Sequence, residues 1–207
     1  METLVKGSVG PYRGQDGSDT PLRQGRDSDL IISQCHGRYH EAVSRGNVFF
    51  AANTATQALS LNSTTATGLI LSNPAGSGKN LSLLEVCVAI ASLPAGQYNL
   101  LLTGNLNPIA TATTHSVALT IRNALLGGGQ NSVAFADSSA TIANANIVRI
   151  IGAGGAATMA TSTAYQPFIR DEVSGLILLQ PGTCISLQAL TTAVTVVASF
   201  AWEEIVQ

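Results

Sequence analysis

Val194-Thr195-Val196-Val197-Ala198-Ser199-Phe200-Ala201-Trp202-Glu203 places an apolar side chain at every second position. Val194, Val196, Ala198, Phe200 and Trp202 share one parity. Thr195, Ser199 and Glu203 take the other, together with Val197 and Ala201. Successive side chains of an extended chain point to opposite faces, so this period of two predicts a strand with one face in a core. The segment before it repeats the pattern: Ile185, Leu187 and Ala189 share a face, with Cys184, Ser186 and Gln188 opposite. Further back, Gly175-Leu176-Ile177-Leu178-Leu179 is apolar on both faces, and Pro181-Gly182 joins it to the next strand. Proline presets φ at position i+1, and glycine accepts the positive φ that a type II turn requires at i+2.

Working outward, the same chemistry recurs from Asn47 onward. Short β-branched and aliphatic runs alternate with Gly, Pro, Asn and Ser clusters, which predicts strands over 48–51, 56–61, 67–71, 81–93, 98–103, 117–122, 133–136 and 147–151. Residues 81–93 also fit a helical period. Leu84, Val86, Val88 and Ile90 on one face and Pro94-Ala95-Gly96 at the end favour a long strand. Helical turns are expected at Tyr39–Val43, ended by Gly46-Asn47, and at Arg122–Leu126, ended by Gly127-Gly128-Gly129. Residues 110–114 and 152–163 read as low-complexity loops. About ten short strands with no βα alternation point to an all-β chain. With uneven loops, a jelly-roll-like antiparallel β-sandwich fits best, spanning 46–207.

Residues 1–45 read differently, as an extended N-terminal arm punctuated by glycine and proline. They hold twelve of the twenty-two charged residues of this 207-residue chain; the other 162 positions carry ten. A segment so poor in apolar residues cannot bury enough surface to order itself alone. It can order on a neighbour, with Leu30, Ile31 and Ile32 adding a strand to an exposed sheet edge and Arg23, Arg26, Arg38 and Arg45, with Tyr39, contacting a partner. The body, by contrast, is far below the quarter of charged residues usual for a free soluble domain. A body this neutral is expected to hide surface within an assembly.

Several function classes find no support. A net charge of -2 gives no electrostatic reason to expect nucleic acid. No apolar run reaches the roughly 18 residues of a membrane helix, and no secretory signal opens the chain, so synthesis in a cytoplasm is expected. Asn73-Pro74-Ala75-Gly76-Ser77-Gly78-Lys79-Asn80 looks like a phosphate-binding loop. It has Asn73 where Gly is required and Asn80 where the Mg²⁺-binding hydroxyl should stand. Cys35, His36 and His40 place three metal-ligand types within six residues, but Gly37 interrupts them and no further ligand stands nearby. Asp171-Glu172 and Glu203-Glu204 are adjacent carboxylates, which diverge on a strand and make no acid/base couple. His115 is the only candidate base in the body, in a Thr-rich stretch without a nucleophile elbow. Cys35, Cys87 and Cys184 lack metal or redox spacing and read as reduced, buried thiols. No enzyme activity, cofactor or metal is expected.

The stretch His36-Gly37-Arg38-Tyr39-His40-Glu41-Ala42-Val43-Ser44-Arg45-Gly46-Asn47-Val48-Phe49 is similar to segments in virion structural proteins of tailed bacteriophages. So are the loop 73–80 and the ending Phe200-Ala201-Trp202-Glu203-Glu204. The likeness spans residues 30–207. It implies a jelly-roll protein of the decoration or cement type, commonly a homotrimer, bound to the major capsid protein on the outside of the virion. No catalytic residue carries over. The alternative within the same class is a fibre or receptor-binding virion protein, with loops 104–116 and 152–166 touching a host. A host-encoded trimeric signalling or lectin-like domain is the remaining rival.

Overall fold

The computed structural model describes residues 7–8, 22–23, 37–92, 94, 96–109, 113–155 and 168–207. The chain divides into two units, 1–40 and 41–207. In the first, β1 (Gly7–Ser8) and β2 (Leu22–Arg23) pair in parallel. The helix α1 (His40–Ser44) follows, where a helical turn is expected. Gly46, at φ +73°, ends it: the Asn47 amide donates to the Ala42 carbonyl and the Gly46 amide to that of Val43. This is a Schellman stop, which needs the left-handed residue that glycine supplies without strain.

The second unit is built from β3 (Val48–Ala52), β4 (Gln57–Ala58), β5 (Thr65–Asn73), β6 (Lys79–Ser92), β7 (Tyr98–Gly104), β8 (Thr113–Ala118), β9 (Arg122–Asn123), β10 (Phe135–Ile142), β11 (Asn146–Gly154), β12 (Phe168–Asp171), β13 (Ile177–Leu179), β14 (Thr183–Ala189) and β15 (Thr195–Val206). Two antiparallel sheets result. One runs β11-β7-β14-β5-β10-β8; the other runs β12-β6-β15-β3-β9, with β13 also on β6 and β4 also on β15. The pairs β3–β15, β5–β14, β6–β12 and β7–β11 nest from the outside of the sequence inward. That nesting is one long hairpin rolled up, so its strands alternate between two sheets: a jelly roll. The antiparallel β8–β10 pair lies between β7 and β11 in sequence and widens the six-stranded sheet beside β5.

Alternation explains the layers. Val194, Val196, Ala198, Phe200 and Trp202 face inward with Phe49, Val86, Val88 and Ile90, and meet Leu69, Leu71, Leu100, Leu102, Ile185 and Leu187 of the opposite sheet. Trp202 stacks on Phe49 with ring centroids 6.2 Å apart. The chain changes sheets at tight turns. At Gln180–Thr183 the Thr183 amide donates to the Gln180 carbonyl and Gly182 has φ +84°, the type II geometry that Pro181-Gly182 predicts. The loop at 73–80 is likewise a turn between strands, Pro74 to Ser77. Strand β6 follows it instead of a helix, so no helix dipole stands ready for a phosphate.

Five local expectations need correction. Residues 152–154, read as loop, are the end of β11, paired with β7. The strand expected over 117–122 ends at Ala118, because Leu119 and Ile121 turn in to pack on the core while the chain crosses to the other sheet. The helical turn expected at Arg122–Leu126 is β9 followed by an Asx turn. Phe49 and Phe50 recruit Arg122 and Asn123 into pairing, and Asn123 Oδ1 accepts from the Leu125 amide at 2.8 Å. Thr113 and Thr114, read as loop, open β8. Within 56–61 only Gln57–Ala58 forms a strand.

Candidate interaction surfaces

The two sheets differ on their outward faces. On the six-stranded sheet, Ile70, Leu101, Thr103, Ser186 and Gln188 point away from the main core yet are fully buried. Their polar atoms are satisfied locally. Gln188 bonds Ser63 through both its side-chain oxygen and nitrogen, and Thr103 Oγ1 meets Ser186 Oγ at 2.9 Å. A small second core of Ala66, Ile70, Ala140, Ile142 and Cys184 lies on the same side.

The outward face of the seven-stranded sheet is open. Pairing register sets its rows: Arg122, Phe50, Ala201 and Glu85 across one level, Ala52, Ser199, Cys87 and Arg170 across the next, then Val197, Ala89 and Phe168. Phe50 is 44% exposed and Phe168 60%. An antiparallel sheet with one wet face normally alternates apolar-in with polar-out. Here the outward parity is mostly Ala, Val, Phe, Ser and Cys. Contiguous apolar exposure of this kind marks an interaction surface.

The ionic groups around it are mostly engaged internally. Arg170 bonds Glu85 at 2.7 Å and reaches Glu172. The Cys87 thiol donates to Glu85 at 2.9 Å, a bond that, with Arg170, holds the Glu85 carboxyl below its ordinary range against the effect of burial. Burial, then Glu85, pushes the Cys87 thiol up to about 11, so it stays a protonated, unreactive small apolar group. Burial also raises Cys184. Arg149 grips Asp171 with two bonds of 2.9 Å, and so ties edge strand β11 to edge strand β12.

The arm residues expected to contact a partner are placed only in part. Arg26, Leu30, Ile31 and Ile32 lie outside the described residues, as do Cys35 and His36. Arg23 belongs to β2 by its backbone. The Arg38 guanidinium stands 5.4 Å from the Tyr39 ring centroid. Arg45 pairs with Glu41 one helical turn away at 2.8 Å, both side chains strongly exposed, an arrangement worth only about 0.3–0.5 kcal/mol. Among the described residues, no three His, Cys, Asp or Glu side chains converge as metal ligands. No described helix is long and apolar enough to cross a membrane.

One pair was not foreseen. His115, read as part of a loop, sits on β8, and its Nδ1 and Asp137 Oδ2 share a hydrogen bond of 2.6 Å. Asp137 is fully buried, and Phe135 covers the imidazole with ring centroids 4.5 Å apart. No hydroxyl or thiol bonds the imidazole among the described residues, so the pair fastens an edge strand without forming a nucleophilic triad. Burial raises the Asp137 carboxyl above its ordinary 3.8, more than His115 lowers it. With the folded value above the unfolded one, protonation favours the folded state. That contribution is complete below about pH 3.8 and is lost as pH rises through the raised folded value. Asp137→Asn cannot titrate, so denaturant unfolding should show stability, variant minus wild type, moving in the variant's favour from about pH 3.5 to about pH 7. A difference flat with pH rejects this account.

The sequence signal for the open face was present in Val197 and Ala201, apolar residues on the nominally polar parity of β15. Phe50, Ala89 and Phe168 join them only through strand pairing. No protein family, curated protein or solved structure matches the chain.

Proposed function

We propose that this protein decorates a virion capsid, binding the outside of the major capsid shell and stabilising it as a non-enzymatic subunit that assembles with copies of itself, as a homotrimer. The observation that carries this reading is the open, mostly uncharged outward face of the seven-stranded sheet, on a body of 167 residues with so few ionic groups. A free domain has no use for such a face, and a building block does. The choice of a tailed-bacteriophage virion as the assembly comes from the resemblance read in the stretch 36–49, the loop 73–80 and the ending 200–204.

The mechanism is mechanical. Copies of the sandwich associate, and each lays its arm, residues 1–45 with Arg23, Arg26, Arg38 and Arg45, on the shell. Contacts individually below the roughly 1,200 Å² of a stable interface become firm when several are tethered in one assembly. The partners are then this chain itself and the major capsid protein, with no nucleic acid, membrane or cofactor required.

Deleting residues 1–35 is expected to leave a folded, self-associated protein that no longer co-sediments with empty capsids. Undiminished co-sedimentation rejects the arm's role. Intact protein that ignores capsids but binds host cells replaces decoration with the fibre or receptor-binding reading.

A further inference from the structure

Of the twelve Asp, Glu, Lys and Arg side chains in residues 41–207, nine have a partner of opposite charge within the fold, and a tenth, Asp137, is hydrogen-bonded to His115. Arg45 holds Glu41, Lys79 holds Glu204, His115 holds Asp137, Arg149 holds Asp171, and Arg170 holds Glu85 and Glu172. Arg122 and Glu203 are the two left over among the described residues. Both belong to the outward face of the seven-stranded sheet. Arg122 is opposite Phe50 in register, and Glu203 follows Ala201 by two residues on β15. Two strand spacings and two residues separate them, about 12 Å between Cα atoms, and no ion pair joins them.

We infer that a second copy of this chain docks on this face, with Arg122 of one copy against Glu203 of the next. One unpaired cation and one unpaired anion, beside an Arg170–Glu85–Glu172 cluster that is paired within the chain, make the face complementary to itself in charge. A capsid or other foreign partner has no reason to carry the mirror of that pattern, whereas a copy carries it by construction. Shape agrees. Ala52, Ala89, Ser199 and Ala201 are small enough for two sheets to approach to the usual ~10 Å, a gap that an arginine and a glutamate span together. Phe50 and Phe168, exposed at opposite margins, supply the aromatic anchors on which such contacts concentrate. The level part of the face, four strands wide and nine residues long on β15, measures on the order of 600 Å². That is close to the ~800 Å² per partner of a standard interface. The inference deepens the reading of the chain as an assembling subunit, and rests on it; a face that matches itself makes a two-fold contact, so it joins two copies and leaves the contact that would close a trimer to another surface.

The test is a charge swap followed by sedimentation velocity on the full chain. Arg122→Glu and Glu203→Arg each set like charges against each other in the contact, and each should weaken self-association on the order of 100-fold. The double variant Arg122→Glu/Glu203→Arg restores opposite charges and should recover most of it. Melting curves that match wild type show that the single variants fold. Wild type that stays monomeric, single reversals that assemble normally, or a double variant no better than the singles would each overturn the inference. If the single reversals assemble normally but lose capsid binding, the shell occupies the face instead. If the swap behaves as expected while capsids are ignored, the docking surface stands and decoration falls.

Discussion

Lys79→Met is expected to destabilise the protein by about 3 kcal/mol, the lower end of the cost of stripping one partner from a buried ion pair. The Glu204 side chain has 0% exposure, and its Oε2 takes a 2.9 Å bond from Lys79 Nζ. Its Oε1 accepts from Ser132 Oγ at 2.6 Å and from the Val133 amide at 2.9 Å. Glu204 therefore anchors the segment before β10 against β15 and the start of β6. Removing the ammonium leaves a carboxylate with two neutral donors and no cation in a dry site. Lys79→Met combined with Glu204→Gln should lose distinctly less, because the amide oxygen keeps the two donors and no uncompensated charge remains. A loss of this size lowers the thermal midpoint of a chain this long by about 6–12 °C. Circular dichroism melts of wild type, single and double variants read it directly. A double variant as unstable as the single would show that packing of the Lys79 stem, not the stranded charge, sets the cost.

The contrast between Glu204 and its neighbour Glu203 shows what the sequence can and cannot disclose. Adjacent carboxylates on a strand must point to opposite faces, and they do. One is buried and fully bonded; the other stands outward without an ionic partner. The pattern from Val194 to Trp202, the alternation from Cys184 to Ala189 and the Pro181-Gly182 turn were all legible, because strand parity and turn chemistry are local. The order of strands was not. β3 meets β15, and β5 meets β14, across more than a hundred residues, and no local pattern encodes such partners. The same limit hid the His115–Asp137 bond and the assembly of Phe50, Ala89 and Phe168 onto one face. Leu119 and Ile121 misled for a different reason. Period two fits a strand, but it also fits a crossover whose apolar residues plug the end of the core. At Arg122–Leu126 helical propensity, a difference of tenths of a kcal/mol per residue, yielded to pairing with Phe49 and Phe50. Half of the arm residues named for contact lie outside the described structure, and before residue 30 the proposed contacts rest on composition alone.

Trp202→Ala is expected to be the most damaging single change in the core, at about 3–5 kcal/mol. The indole is fully buried, stacked on Phe49 at an interplanar angle of 27°, and in register with Leu83 of β6. Alanine would leave a cavity in the core between the two sheets, where backbone pairing on both sides of β15 prevents collapse. Trp202→Phe separates packing from polarity. The indole Nε1 is buried with no hydrogen-bond partner, and an unmade bond of that kind costs on the order of 1–3 kcal/mol. Phenylalanine removes the stranded donor along with the second ring, so the two effects oppose each other. The phenylalanine variant should therefore lie much closer to wild type than loss of ring volume alone implies, within about 1–2 kcal/mol. Urea unfolding of the three proteins measures both gaps. Phenylalanine as costly as alanine would mean that Nε1 finds a partner in solution, and that the indole is held by that bond as well as by its ring contacts.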